Sequence, residues 1–245
     1  MKKIGLLLLG AIAVIACSKE NENTMYVKAS VRGLKKGTFY LQKQVDSMIV
    51  SVDSIHVDGT EDFLMTDEVN SPEMYYLTLG NSSKRISFFG EKDTVTIVSQ
   101  LDLFDVKAKI KGSTNQDLLT DFSDMQKNFN NQKLDLIKEE FEARKIGSQD
   151  SIDQVAVKLK KWQRKRYLYM TNFAVNNADY EVAPYVALTE LVNANIKLLD
   201  TVNKSMSPKV RASKYGQQLV KFVDDIKSTE RNHAGYRRQW HSKKL

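Results

Sequence analysis

Cysteine is almost absent: the 245-residue chain has one, at position 17, beside three prolines, three histidines and eleven glycines. A lone cysteine excludes an internal disulfide, a Cys-x-x-Cys redox centre and a metal site built from several thiolates. So little proline and glycine excludes collagen-like or low-complexity organisation. His56, His233 and His241 show neither helical nor zinc-type spacing, so no metal site is expected, and His56 reads as a residue on a sheet face. Beyond residue 16 no apolar run approaches the roughly 20 residues that span a bilayer. No Gly-x-Ser-x-Gly elbow, phosphate-cradling loop or dinucleotide fingerprint occurs. No catalytic residue, enzymatic activity or cofactor is therefore expected. The carboxylate pairs Glu139-Glu140 and Asp224-Asp225 are adjacent on expected helices, point about 100° apart and read as solvated faces.

What is present begins at the N-terminus. Lys2 and Lys3 precede a short apolar segment running to Ala16, the pattern of a signal peptide over residues 1–16. Val14-Ile15-Ala16-Cys17 resembles the lipobox of bacterial lipoproteins, which implies that Cys17 is acylated and becomes the mature N-terminus. Residues 17–24 then form a lipidated tether, stably held because two or three acyl chains anchor where one does not. Ser18 is not the aspartate of inner-membrane retention, and Ser18 to Glu22 resembles the export signals of surface lipoproteins. The expected location is the outer membrane, lipid-anchored, facing periplasm or cell surface. Signal removal takes two of 37 basic residues away against 30 acidic ones, a mild excess that does not identify a nucleic-acid binder.

Two hydrophobic periods divide the rest. Over residues 25–112 apolar residues alternate: Val27, Ala29 and Val31 against Lys28, Ser30 and Arg32, then Met48 to Val57, Phe63 to Val69, Met74 to Leu79, Arg85 to Phe89, Thr94 to Val98 and Val106 to Ile110. This predicts an antiparallel β-sandwich or barrel-like domain. Over 113–231 the spacing becomes helical, with Leu118, Phe122, Met125 and Phe129, then Ile152, Val155, Leu159, Trp162, Tyr169 and Phe173. Four to six helices are expected. Gly147 would end the first, Asp150 and Ser151 would cap the second, and Pro184 and Ser207-Pro208 would start others. The fold class is thus α+β, closed by a basic tail over 232–245 with Arg237, Arg238, Lys243, Lys244, Tyr236 and Trp240.

The segments "VRGLKKGTFYLQ", "MIVSVDSIHVDG", "SPEMYYLTLG", "RISFFGEKDTVTI" and "KIKGSTNQDLLTDF" resemble the uncharacterised N-terminal domain of exported thioredoxin-like lipoproteins of Bacteroides-like Gram-negative bacteria. "NNADYEVAPYVAL" and "SKYGQQLVKFVDDI" resemble the helical linker that precedes the thioredoxin domain there. The resemblance covers residues 25 to 230, and this chain has no Trp-Cys-x-x-Cys segment, so dithiol chemistry does not carry over.

Two further patterns bear on partners. Lys158, Lys160, Lys161, Arg164, Lys165 and Arg166 make a basic run on the wet side of an expected helix, suited to anionic lipid or glycan. Asp-Ser/Thr-x tripeptides place Ser47, Thr94, Ser151 and Thr201 in a pattern that resembles the O-glycosylation sequon of the same bacteria; Ser54 fits less well, inside an alternating strand. The expected function is a non-catalytic binding or scaffold module at the outer membrane, with a protein or glycan partner in the envelope. The alternative is an accessory of a thiol-redox or stress pathway that docks a separate thioredoxin-like partner.

Overall fold

The computed structural model describes residues 23–242 apart from Asn81, with side chains as far as Glu230. Cys17, the signal segment and most of the tether lie outside the described residues, as do the side chains of His233 and His241. Among the described residues eight strands come first: β1 (Thr24–Arg32), β2 (Lys36–Val45), β3 (Met48–Asp58), β4 (Asp62–Glu68), β5 (Glu73–Leu79), β6 (Arg85–Gly90), β7 (Asp93–Gln100) and β8 (Lys109–Lys111). Six α-helices follow among the described residues: α1 (Thr114–Ile146), α2 (Gln149–Asn176), α3 (Val182–Glu190), α4 (Ile196–Ser205), α5 (Pro208–Ala212) and α6 (Lys214–Ser242). Residues 232–242 thus continue α6 rather than forming a separate tail.

The strands form two four-stranded sheets, ordered β4-β1-β7-β8 and β3-β2-β5-β6. Pairing is antiparallel except between β1 and β7, where Val27 lies opposite Val95 in a parallel register. A parallel neighbour needs a long connection, and here the chain supplies it by building the whole second sheet between the two strands. Val27, Val31, Phe39, Leu41, Met65, Leu77 and Phe88 fill the space between the sheets, and Phe39 stacks on Phe63 at 4.3 Å. Asp53 ties the sheets together from β3: its carboxylate accepts the Thr66 N–H of β4 at 2.8 Å.

The expected strand over 106–110 shrinks to three residues. Phe104 is drawn into the core instead, where its carbonyl accepts the Ser99 hydroxyl at 2.6 Å, and Val106 is left exposed.

β5 is covered on both faces along most of its length and β6 only over Phe88–Gly90, with Arg85 and Ser87 left exposed. Tyr75 and Phe88 point into the sandwich, whereas Met74 and Phe89 belong to the helical core with Val182, Val186, Leu199 and Val223. The helical bundle is therefore seated on the outer face of this sheet.

α1 and α2 form a long antiparallel hairpin. Gly147 ends α1 at φ 75°, in the left-handed region glycine tolerates. The cap of α2 is Ser148, whose hydroxyl accepts the Ser151 N–H; Asp150 and Ser151 lie inside the first turn. Ser148 wins because its extended backbone, φ −83° and ψ 104°, aims the hydroxyl at the open N–H groups. Pro208 starts α5 behind the Ser207 cap, as expected.

Candidate binding groove

The segment Gly112 to Gln116 joins the two halves. Gly112 has φ 100°, and a Cβ there would sit 2.1 Å from the Thr94 carbonyl oxygen. Ser113 caps α1 by accepting the Gln116 N–H at 3.1 Å. Gln116 then uses its side-chain oxygen to accept the Phe89 N–H of β6 at 2.8 Å. Asn115 accepts the Val182 N–H at 2.8 Å and donates to the carboxylates of Glu91 and Glu181. Two buried amide side chains thereby satisfy backbone groups of β6 and α3 that no regular ladder reaches.

A second polar junction fastens α6 to β5. Lys214 pairs with Glu73 and donates to the Gln44 carbonyl at 2.6 Å, and Lys43 pairs with Asp67 at 2.5 Å. The Tyr75 hydroxyl donates to Asp67 at 2.7 Å, and the Met74 N–H donates to the Tyr215 hydroxyl at 3.0 Å. Burial pushes the Tyr75 hydroxyl well above its ordinary 10.0, and the bond to Asp67 adds to the shift. Burial raises Tyr215 and Tyr185 as well. These tyrosines are held neutral as donors and acceptors, and the lysines and carboxylates around them neutralise one another. The arrangement is that of a fastener.

The basic run of α2 divides. Lys158 is paired with Glu139 and Arg166 with Glu190. Lys160 and Arg164 have no ion pair among the described residues, and they share one helical face with Gln163, Tyr167 and Leu168. That face meets the start of α4, where Asn195 caps the helix by accepting the Lys197 N–H at 2.9 Å. Between them lies an open groove of about 550 Å³, within the range of ligand sites. Its cations are Lys160, Arg164 and Lys197, its apolar floor is Leu168 and Leu198, and no acidic residue among those described lines it. The positive end of α4 adds to the field. A cleft of the same volume on the outer face of the first sheet holds Glu61 among Arg32, Lys107 and Lys109, which cancels part of its charge.

The other positions singled out in the sequence do not converge. His56 lies on the exposed face of β3, its Nδ1 3.0 Å from the Thr38 hydroxyl. Among the described residues no three His, Cys, Asp or Glu side chains are placed to hold a metal, and no helix is long and apolar enough to cross a membrane. Ser47 occupies the exposed β2–β3 turn. Thr94 is half-buried in β7, the Ser151 hydroxyl lies 2.9 Å from that of Ser148, and the Thr201 hydroxyl donates to the Lys197 carbonyl within α4. The aspartates of these tripeptides have structural work of their own. Asp46 and Asp93 are the described non-glycine residues with positive φ, 53° and 84°, a conformation aspartate tolerates better than most. Asp200 pairs with Lys204 and Lys227, and those hydrogen bonds hold its carboxyl below the ordinary carboxylate range.

Residues 25–119 match the family described as a domain of unknown function, DUF4369. The match takes in the whole sandwich and ends in the second turn of α1, just past the Ser113–Gln116 junction. No curated protein and no solved structure matches the chain.

Sequence reasoning recognised the basic run but not the groove. Lys197 and Leu198 complete it from α4, more than thirty residues away, and only the packing of α4 on α2 brings them there.

Proposed function

We propose that the protein is an exported lipoprotein, anchored through Cys17 at the outer membrane, that acts as a non-catalytic binding or scaffold module. Its helical half offers the α2/α4 groove to an acidic group of an envelope glycan or protein. The observation that carries this reading is the division of the basic run: two of its cations are paired, while Lys160 and Arg164 join Lys197 around an apolar floor that no described acidic residue lines. Unpaired cations beside apolar surface favour a ligand that is both anionic and partly apolar. The titratable groups with raised values are tyrosines fixed by burial, which suits a binding body better than an active site. Ser47, on an exposed turn, is the tripeptide position best able to carry a bulky glycan.

The test is crosslinking in intact native cells with a tagged full chain. The expected result is a captured envelope component that is lost with Lys160→Glu/Arg164→Glu and displaced from membranes with Cys17→Ala. Capture that is indifferent to the groove substitutions would remove the groove from this reading. A captured thioredoxin-like protein would replace it with the redox-accessory role.

A further inference from the structure

The outer face of the first sheet is uncovered among the described residues, since the helices seat on β5 and β6 of the other sheet. Met25, Val27, Ala29 and Val31 of β1 point into the sandwich, so Lys28 and Arg32 point outward. Val95 and Ile97 of β7 and Ile110 of β8 pack inward in the same way, which leaves Val98, Lys109 and Lys111 on the outer face. Register groups the cations: Lys28 and Lys111 share a row through Thr96, and Lys109 lies beside Val98 in the next. Lys107 joins Arg32 and Lys109 around the cleft of about 550 Å³. None of these five cations makes an ion pair among the described residues. On the helices, by contrast, Lys127, Lys204 and Lys221 each hold a carboxylate, at 2.7, 2.8 and 2.6 Å. Asp62 and Glu68 stand on β4 and Glu61 just before it, where its carboxylate accepts the Gly33 N–H at 2.6 Å; Asp105 does not line the cleft. The charge therefore divides across the sheet, acidic at β4 and basic from β1 to β8. Leu64, Val98 and Val106 are 47%, 46% and 77% exposed among these groups.

We infer that this face lies against an anionic phospholipid bilayer, with β1 along the membrane surface; the inference rests on the Cys17 anchor. Exposed leucine and valine between unpaired cations match the boundary of phosphate headgroups and acyl chains, whereas an acidic polysaccharide offers charge alone. The tether also ends in this sheet. Cys17 is seven residues from Thr24, the first residue of β1, so the link reaches at most about 25 Å. Lys28 follows four residues later, about 13 Å along the strand. The anchor thus holds the basic rows within reach of the headgroups, and the helical bundle, on the opposite sheet, is turned away from the bilayer.

The test uses the acylated full chain, purified in detergent and reconstituted into vesicles of phosphatidylglycerol and phosphatidylcholine in equal parts, or of phosphatidylcholine alone. Lysine acetylation read by mass spectrometry is expected to slow about fivefold at Lys28, Lys109 and Lys111 on the anionic vesicles. It is expected to stay unchanged at Lys127 and Lys221, and the slowed sites should recover in about 0.5 M salt. Lys109→Glu/Lys111→Glu is expected to remove the protection of Lys28, with circular dichroism verifying that the fold is kept. Equal acetylation on both kinds of vesicle overturns the contact, and protection by soluble polygalacturonate but not by vesicles replaces the bilayer with an acidic glycan. An intact mass without acyl groups on Cys17 overturns the anchor and the orientation with it, whereas unprotected lysines on an acylated chain overturn the sheet contact alone.

Discussion

Replacing Tyr215 by phenylalanine isolates one bond in the junction between sheet and helices. The Met74 N–H donates to the Tyr215 hydroxyl at 3.0 Å, and Met74 is 6% exposed, so water has little access to the abandoned donor. The ring itself stays, with its edge contact to Phe89 at 6.1 Å and its tilted contact to Tyr185 at 5.3 Å. The expected cost is that of a buried, unsatisfied backbone donor, roughly 1–3 kcal/mol. In a body of this size each kcal/mol corresponds to about 2–4 °C in Tm. Tyr215→Ala removes the ring as well and is expected to cost about 3–5 kcal/mol. Urea unfolding followed in parallel by tryptophan fluorescence, which samples the helical half through Trp162, and by far-ultraviolet circular dichroism measures both. The two probes are expected to remain coincident for Tyr215→Phe and to separate for Tyr215→Ala, as the helices lose their seat on the sheet. A Tyr215→Phe variant within about 0.5 kcal/mol of the parent would refute the reasoning, since the N–H would then be satisfied another way.

Three other perturbations follow from named contacts. Gly112→Ala combines a positive φ with a Cβ placed 2.1 Å from the Thr94 carbonyl; a loss above about 3 kcal/mol is expected, read as a lowered urea midpoint. Ser113→Ala removes the α1 cap and is expected to cost about 1 kcal/mol, with thermal unfolding as the measurement. Alkaline pH acts through Tyr75 and Tyr215, whose folded-state values lie above the ordinary 10.0. Their contribution is therefore complete below pH 10 and is lost as the pH rises further, by up to about 1.4 kcal/mol per pH unit for each tyrosine. Urea midpoints between about pH 9 and 11 should fall for the parent and fall less steeply for Tyr215→Phe.

Much of the fold is legible residue by residue. Val27, Ala29 and Val31 alternate with Lys28, Ser30 and Arg32 because a strand with one solvated face must, and β1 buries the first set. Phe122 and Phe129 repeat at helical spacing and pack against α2, as the period predicts. Less legible are the second covered face of β5 and the end of β6, where Met74 and Phe89 join the helical core, and Phe104, which a local pattern assigned to no element but the core captured. Asn115 and Gln116 look like ordinary first-turn polar residues, and their service to Val182 and Phe89 depends on partners 67 and 27 positions away.

The sequence by itself determined the two hydrophobic periods, the change between them near residue 113, the Gly147 end of α1 and the Ser207-Pro208 start of α5, because each rests on neighbours within a few positions. Tertiary structure decided the parallel pairing of β1 with β7, the seating of the helices on β5 and β6, and the union of Lys160, Arg164 and Lys197 in one groove. Those features join residues far apart in the chain, and what selects them is the closure of shared apolar surfaces together with the satisfaction of buried polar groups, which no short window of sequence contains.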